Sequence, residues 1–490
     1  MKSLSYKISI GLVSLMLLSS CQSELDKLNK NPNNLEQTEV GPLLTNIVLN
    51  SVRAMTENGW TLGNGYGQYM TFSSSYYNLP TRYQPVSNDP VWNSTYGNAR
   101  NAQLLYNLGV SRNNATVQAV ALALRSHAFG QLTDLWGDIP FKNALQASTG
   151  NFTPAYDSQQ VVYNDPDLGI LASLRKADQL LASSTATIVG DPLYNGDPKA
   201  WRRFVNALRL RYLMRVSGKQ DVASEIQQIV KDGNLMTNAS QSASIAFQTA
   251  VPYVFPSLVE RSGDFNVKYV SQLFYTVLRT TGDSDRLTLI AAPNSQGKGK
   301  SGFSFDYYGG MPLVSDASAT QVDTASNFSS NFLAINNPSL LKERLITYAE
   351  QEFILAEAAQ RGLITGSAQD YYNAGIYGAF AEWGLTNDQA ASYLKRPNTS
   401  FDSSKAIQQI ITQKWIVNFN VGFEGWVEYL RTGFPSLETG GNLNLNGGSI
   451  ATRFLYPDPE RTINNMNYNQ ELQSRMGGKE TTTYKAWWAN

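Results

Sequence analysis

The sequence predicts an all-α protein built from tetratricopeptide-like helical pairs with long loop-rich insertions. Three observations point there. Apolar residues recur at helical spacing in separate blocks along the chain. Two neighbouring blocks meet across a brief polar joint and end at glycines, the pattern of a helical hairpin. Long stretches rich in Gly, Asn, Ser and Asp separate the blocks and read as loops. No clean 34-residue repeat is present, so the tetratricopeptide likeness rests on paired helices with small contact residues.

The N-terminus comes first. Lys2 and Lys7 flank an apolar run, Ile8 to Leu18. A bilayer span needs about 20 apolar residues, and this run is about half that. A basic flank followed by a short apolar core reads as a signal peptide. It ends in Leu18-Ser19-Ser20-Cys21, which resembles the bacterial lipobox, with the only cysteine of the chain at the acylated position. Residues 1–20 are therefore expected to be a lipoprotein signal peptide, and Cys21 the lipidation site, carrying palmitate-type acyl chains. Glu24 and Asp26 follow, as in the surface-export signals of Bacteroidetes lipoproteins. Several acyl chains, each about 0.8 kcal/mol per buried CH₂, make a durable outer-membrane anchor.

Residues 21–490 read as one interleaved domain without a linker. Leu44, Ile47, Val48, Ser51, Val52 and Met55 share one helical face. Val117, Val120, Ala121, Leu124 and Ala128 share a second. Trp201, Phe204, Val205, Leu208 and Tyr212 form a third, stopped at Gly218. Val222, Ile226, Ile229 and Val230 form a fourth, stopped at Gly233 and hairpinned to the third. Helices are expected over Leu341 to Arg361, Gln369 to Trp383 and Lys405 to Phe419. Loop-rich stretches are expected over Gly59 to Asp89, Ser284 to Pro338 and Thr432 to Asn490. Loops of that length in a compact body are usually functional or disordered.

Composition narrows the chemistry. Lys plus Arg equals Asp plus Glu at 39 each, so no basic excess serves nucleic acid. One cysteine and one histidine, His127, leave no disulfide and no Cys/His zinc site. A Ser–His–Asp triad would need His127, which sits in a helical stretch without a nucleophile elbow and reads as structural or solvated. Asp165 with Asp167, and Asp283 with Asp285, are loop Asp-x-Asp pairs that lack the remaining ligands of a calcium loop. No Walker loop or dinucleotide fingerprint appears, and no cofactor or metal is expected. Glu350, Glu352 and Glu357 share a helix and read as an ordinary solvated face. A carboxylate pair for glycoside cleavage is never excluded by sequence among 39 acidic residues, but none stands out.

Several strings resemble one family. Gln131 to Phe141 closely resembles the segment after an early helix in SusD/RagB proteins. Trp201 to Leu213 looks like the family's central helix, Tyr348 to Gly362 like a late helix-pair segment, and Gln413 to Leu430 like the C-terminal one. With the lipobox and Asn29-Lys30-Asn31-Pro32-Asn33, the resemblance spans nearly the whole chain and is nearest the divergent SusD-like branch. It implies an all-α, cell-surface lipoprotein that captures nutrients and acts as a lid on a TonB-dependent, SusC-type outer-membrane transporter. It implies a binding protein rather than an enzyme. Within the signature string, Asp134, Trp136 and Asp138 read as scaffold that caps and packs a helix end.

The ligand is expected to be an oligosaccharide, with a peptide as the alternative and a surface glycosidase or purely structural protein behind them. Only 16% of residues are charged, against about 25% in typical soluble proteins, so polarity rests on amides and hydroxyls. Aromatics are dense between Gly59 and Trp92: Trp60, Tyr66, Tyr69, Phe72, Tyr76, Tyr77, Tyr83 and Trp92. So many rings in a loop-rich stretch are hard to bury and suit a sugar face or a peptide groove. The expected contacts are Tyr76, Tyr77, Asn78, Arg82 and Tyr83, in a loop where Pro80 breaks any helix. From the middle of the chain come Arg261, Asp264, Phe265, Tyr307 and Tyr308, since the family draws contacts from an early loop and from long middle loops.

Overall fold

The computed structural model describes residues 39–247, 254–255, 260–329, 332 and 342–489. The signal peptide and Cys21 lie outside the described residues.

Helices dominate, and local sequence explains their ends. α1 (Val40–Asn58) continues through a π-helical turn at Gly59–Gly63 and leads to β1 (Met70–Phe72). α2 (Asp89–Ser111) and α3 (Ala115–Trp136) form an antiparallel hairpin across a three-residue turn. The Asn114 side chain caps α3 by accepting from the Val117 N–H at 3.1 Å. α3 is stopped by Gly137, whose φ of 84° is costly for any residue with a Cβ. α3 is apolar on almost every side because it is the central helix, buried along nearly its whole length. β2 (Ile139–Pro140) and β3 (Tyr156–Asp157) pair beyond it, followed by α4 (Gln159–Asn164) and α5 (Ile170–Ser183). α6 (Pro198–Val216), with Asp197 as cap and Pro198 at its first position, and α7 (Ala223–Asp232) make the expected second hairpin.

The second half holds β4 (Ala243–Ala246), α8 (Ser262–Asn266), β5 (Lys268–Val270), α9 (Gln272–Thr280), α10 (Ser284–Ile290) and α11 (Ala319–Thr324). β6 (Lys342–Ile346) precedes the pair α12 (Tyr348–Gln360) and α13 (Ala368–Glu382), and α14 (Asn387–Leu394) follows. α15 (Ala406–Val417) and α16 (Glu424–Thr432) complete the helical body, and α17 (Asp458–Thr462) and α18 (Asn465–Met476) lie in the C-terminal stretch. The all-α class therefore holds, with only three two-stranded ribbons among the described residues: β1–β5, β2–β3 and β4–β6, each antiparallel.

Four expectations change. The helix expected from Leu341 begins only at Tyr348. Lys342–Ile346 is a strand on β4, and the Thr347 side chain caps the new helix by accepting from Glu350 N–H at 3.1 Å. Leu345 and Tyr348 fit helical spacing, but the strand buries both faces, so periodicity alone does not choose. Gly59 to Asp89 opens as a continuation of α1 rather than a loop. The Ser284 to Pro338 stretch opens with α10 and carries α11, and the Thr432 to Asn490 stretch contains α17 and α18.

Among the described residues packing is organised as three large cores and a small cluster of Tyr269, Met311 and Ala325. The largest lies between α1, α2, α3, α5, α6 and α16. An aromatic one, with Trp60, Tyr69, Phe274, Phe328, Trp415 and Phe419, sits under the loops. The third joins α12 to α15. Six of the eight rings between Gly59 and Trp92 belong to these cores: Trp60, Tyr66, Tyr69, Phe72, Tyr83 and Trp92 are all buried. They correct the expectation that this set is too dense to hide. Tyr69, for example, stacks on Trp415 at 4.3 Å and donates its hydroxyl to the Trp415 carbonyl at 2.6 Å.

Where α3, α6, α12, α15 and α16 meet, the core is ionic. Arg211 grips Glu350 with two hydrogen bonds, at 2.8 and 2.6 Å. Arg215 pairs with Glu424 at 2.7 Å and Asp134 at 3.3 Å. Arg431 forks onto Glu357 at 2.8 and 2.6 Å and also pairs with Glu428, which Lys414 meets at 3.1 Å. Burial alone would raise Glu424, but the facing Arg211 and Arg215 bring it down to about 2. Glu350, Glu352 and Glu357, expected on a solvated face, are all buried. Asp134 is part of this network rather than a helix cap. Trp136 donates to the Leu455 carbonyl at 2.8 Å, and Asp138 accepts from the Gln159 N–H at 2.7 Å, so the scaffold reading of the signature stands.

Deleting one member leaves its partners charged and buried. Arg431→Ala is expected to lose about 3–5 kcal/mol of stability, since Glu357 and Glu428 lose their common partner. Urea titration measures it, and an unchanged midpoint would contradict this account.

Candidate functional site

Two places gather polar and titratable groups, one enclosed and one exposed. The enclosed one is a cavity beside His127, Asp134, Arg211, Glu343 and Glu424. It measures about 30 Å³, room for about one water and no substrate. Burial and the Arg211 charge push His127 down to about 3, so it is neutral, and its Nδ1 lies 3.3 Å from the Tyr212 hydroxyl. No serine or cysteine lines this cavity. The structural reading of His127 fits this placement.

The exposed one is built by three loops. Residues 73–84 follow β1, residues 261–266 form α8 and its approach, and residues 311–318 return from Met311, which bridges Ser271. The β1–β5 pairing brings the first two side by side. Side chains then cross-link them. The Tyr77 hydroxyl donates to Asp264 Oδ1, and Arg261 Nε donates to Asp264 Oδ2 at 2.9 Å. Ser75 N–H donates to Asp316 Oδ1 at 2.9 Å, and Asn78 Nδ2 donates to the Val314 carbonyl. On the far side, Arg82 Nε donates to the Leu443 carbonyl at 2.7 Å, tying the platform to the C-terminal loop.

Tyr76 stands on this platform, 78% exposed, with its ring edge-on to Tyr77 at 4.8 Å. Arg261 beside it has 87% of its side chain in solvent. Leu79 and Leu445 add apolar surface. The result is an amphipathic shelf of one free ring, one half-buried ring and fixed polar groups. Hydrogen bonds from Tyr77 and Arg261 hold the Asp264 carboxyl below the usual range, and those from Ser75 do the same for Asp316. Both are charged acceptors at neutral pH and neither is a proton donor.

The structure thus brings Tyr76, Tyr77, Arg261 and Asp264 together, with Arg82 on the far side of the same loop. It corrects two of their neighbours. Asn78 and Tyr83 are fully buried: Asn78 anchors the loop to Val314, and Tyr83 packs on Tyr66 while accepting from Gln68 Nε2 at 2.9 Å. They shape the shelf from beneath. Phe265 is half-buried against the aromatic core. Tyr307 and Tyr308 belong to a neighbouring cluster, where Tyr308 stacks on the exposed Phe303 at 5.7 Å and Phe303 meets Phe305 at 4.8 Å. Leu79, Asp316 and Phe303 were not expected from sequence. Only their loop context could have suggested them.

The Asp-x-Asp pairs are turns and caps. Asp165 Oδ1 accepts from the Asp167 and Leu168 N–H groups, and Asp283 caps α10 while paired with Arg286 at 2.6 Å. Among the described residues no cluster could hold a metal ion.

The sequence profile of a family described as SusD-like, starch-binding and associating with the outer membrane matches residues 32–457. The fold is similar to a SusD homologue from Bacteroides fragilis, with 28% identity and a TM-score of 0.79, covering 92% of this chain and 99% of that one. It is similar to an outer membrane protein from Bacteroides vulgatus, with 28% identity and a TM-score of 0.77, covering 92% and 100% of the two chains. A chitin-binding SusD homologue from Flavobacterium johnsoniae shares the fold at 22% identity and a TM-score of 0.75, covering 92% and 98%. No curated protein matches the chain.

The enclosed cavity generates a test of its own. Burial pushes Glu343 up from 4.5 to about 8, against the hydrogen bond from Thr56 and the Arg344 charge. Between those values the native state keeps a proton that the unfolded chain releases, so this group makes stability fall as pH rises across that window. Glu343→Gln is expected to flatten that fall in urea midpoints measured from pH 5 to about 8. A parallel slope in variant and wild type would remove Glu343 as its source.

Proposed function

The chain belongs to the SusD-like family of outer-membrane nutrient-binding proteins, and from that membership we propose that it captures neutral oligosaccharides on the cell surface and hands them to a TonB-dependent, SusC-type transporter. The observation that carries the saccharide reading is the shelf: Tyr76 exposed over Tyr77, ringed by Arg261, Asp264 and Asp316, with Arg82 on the far side of the same loop. A sugar has a C–H face that stacks on a tyrosine ring, and hydroxyls that both donate and accept. Ionised Asp264 and Asp316 accept from such hydroxyls, and the guanidinium groups donate to them.

Capture without cleavage is the reading the electrostatics supports. General-acid cleavage of a glycoside needs a carboxyl held protonated at working pH. The two shelf carboxyls are held ionised instead. The carboxyls that burial pushes up, Asp134, Glu343, Glu352 and Glu471, lie inside the helical body.

Membrane attachment is assigned to acyl chains on Cys21. No helix among the described residues is long and apolar enough to cross a membrane.

Two outcomes are expected. The double variant Tyr76→Ala/Tyr77→Ala should bind maltoheptaose or chitohexaose at least about tenfold more weakly in calorimetry while keeping its urea midpoint; stacked rings contribute about 1–3 kcal/mol each in the analogous case of nucleobases. Unchanged affinity for a sugar the wild type binds would move the site elsewhere. Cys21→Ala should lose fatty-acid labelling and membrane retention, and the wild type should co-purify with a large β-barrel from native membranes in mild detergent. Full lipid labelling of the variant, or repeated purification without a barrel, would each remove its part of the reading.

A further inference from the structure

A second concavity lies apart from the shelf, between α9 and α15. It is an open groove of about 390 Å³, within the range of small-ligand pockets. One wall is the exposed side of α9, with Thr276, Val277 and Thr280. The other is α15, with Gln408 and Thr412, and Pro397 and Pro435 also line it. No sequence motif marks it, because its walls come from segments more than a hundred residues apart.

Its walls are fixed before any ligand arrives. Gln413, at the floor, donates to the Tyr393 hydroxyl at 2.8 Å and accepts from Arg286 Nη2 at 3.1 Å. Gln409 accepts from Asp402 N–H at 2.8 Å and donates to the Ser400 carbonyl at 2.9 Å. Asn398 Nδ2 donates to the Thr280 carbonyl at 2.8 Å and joins the walls. Such preorganisation lowers the entropy lost on binding. Gln408, Thr412 and Ser436 make no side-chain hydrogen bond among the described residues, and they face the same space.

The chemistry of the lining selects a ligand class. Hydroxyls and carboxamides each donate and accept, as sugar hydroxyls do. Asp402 and Lys405 are the only charged lining residues, of opposite sign, so an anion or cation gains no net attraction. Val277, Pro397 and Pro435 offer small apolar facets to C–H groups. The one ring in the lining, Tyr372, is fully buried and spends its hydroxyl on the Thr399 carbonyl at 2.9 Å. Without a stacking ring, affinity should be weak, in the millimolar range.

We propose that this groove is a second, weak saccharide site that takes a mono- or disaccharide unit, separate from the Tyr76 shelf. It rests on the saccharide reading above. The test uses the full mature chain with threonine methyl labels, titrated with maltose, cellobiose and N,N′-diacetylchitobiose. Thr276, Thr280 and Thr412 methyl resonances should shift saturably with at least one of these sugars. The shifts should persist in Tyr76→Ala/Tyr77→Ala. Gln408→Ala/Ser436→Ala should weaken the apparent affinity read at Thr280 and Thr412 by roughly tenfold, the effect of two lost hydrogen bonds. If those methyls stay unmoved while calorimetry still records Tyr76-dependent binding, the groove is rejected and the shelf stands. If none of the sugars is bound by either measure, both readings fall.

Discussion

The helical body is built around an ionic core that joins helices distant in sequence. Arg211, Arg215, Lys414 and Arg431 meet Asp134, Glu350, Glu357, Glu424 and Glu428 in the interior, and the half-buried Arg361 balances the charge by pairing with Glu357 at 2.6 Å. Each ion brought out of water costs several kcal/mol, so the assembly is a poor source of net stability. Its effect is directional. A guanidinium fork accepts a carboxylate in one plane, whereas leucine tolerates small slides between helices. Arg211 and Glu350 are 139 residues apart, so the forks set how the N-terminal helices sit on the C-terminal ones.

The exposed shelf inherits its rigidity from that frame. α15 carries Lys414 into the ionic core and, at the next position, Trp415 into the aromatic core under the loops. The Trp415 indole donates to the Gly67 carbonyl at 3.1 Å while its ring stacks on Tyr69. Tyr69 immediately precedes β1, whose partner β5 follows the Arg261–Asp264 turn. A chain of short contacts thus runs from buried charge to the exposed shelf. Loops held this way need little ordering when a ligand arrives.

How much of this was legible in the sequence follows the range of each interaction. Helices stood out because stop signals and apolar spacing are local, as with Gly218 after α6 or Gly233 after α7. The lower-numbered half of the chain was read better than the segment before Tyr348, where five residues fit both a strand and a helical turn. Buried acids were illegible. Glu350 and Glu357 sit on a helix like any surface pair until Arg211 and Arg431 arrive from 139 and 74 residues away. The aromatic stretch misled for the same reason. Its rings are hidden by Phe274, Trp415, Trp426 and Phe454, partners that sequence proximity does not reveal. Tyr76 with Tyr77, and Arg261 with Asp264, were each visible as local pairs. Their meeting across the β1–β5 ribbon was not.

An open shelf also suits a protein that must let go. A closed pocket that excludes water strengthens every polar contact and slows release, because affinity differences among related sites reside mostly in the off-rate. Here one ring is free, a second is half-covered, and the charged groups remain wet, so each contact is screened. For the proposed saccharide, two stacking contacts and a few wet hydrogen bonds would place affinity in the micromolar to millimolar range once association entropy is subtracted. With association near 10⁶ per molar per second, residence is then on the order of a second or less. Cleavage would demand the opposite design, with a dry carboxyl beside the ligand. The dry carboxyls where α3, α6, α12, α15 and α16 meet are instead paired with arginine and lysine, and the shelf keeps the two ionised carboxyls that the proposed capture would use.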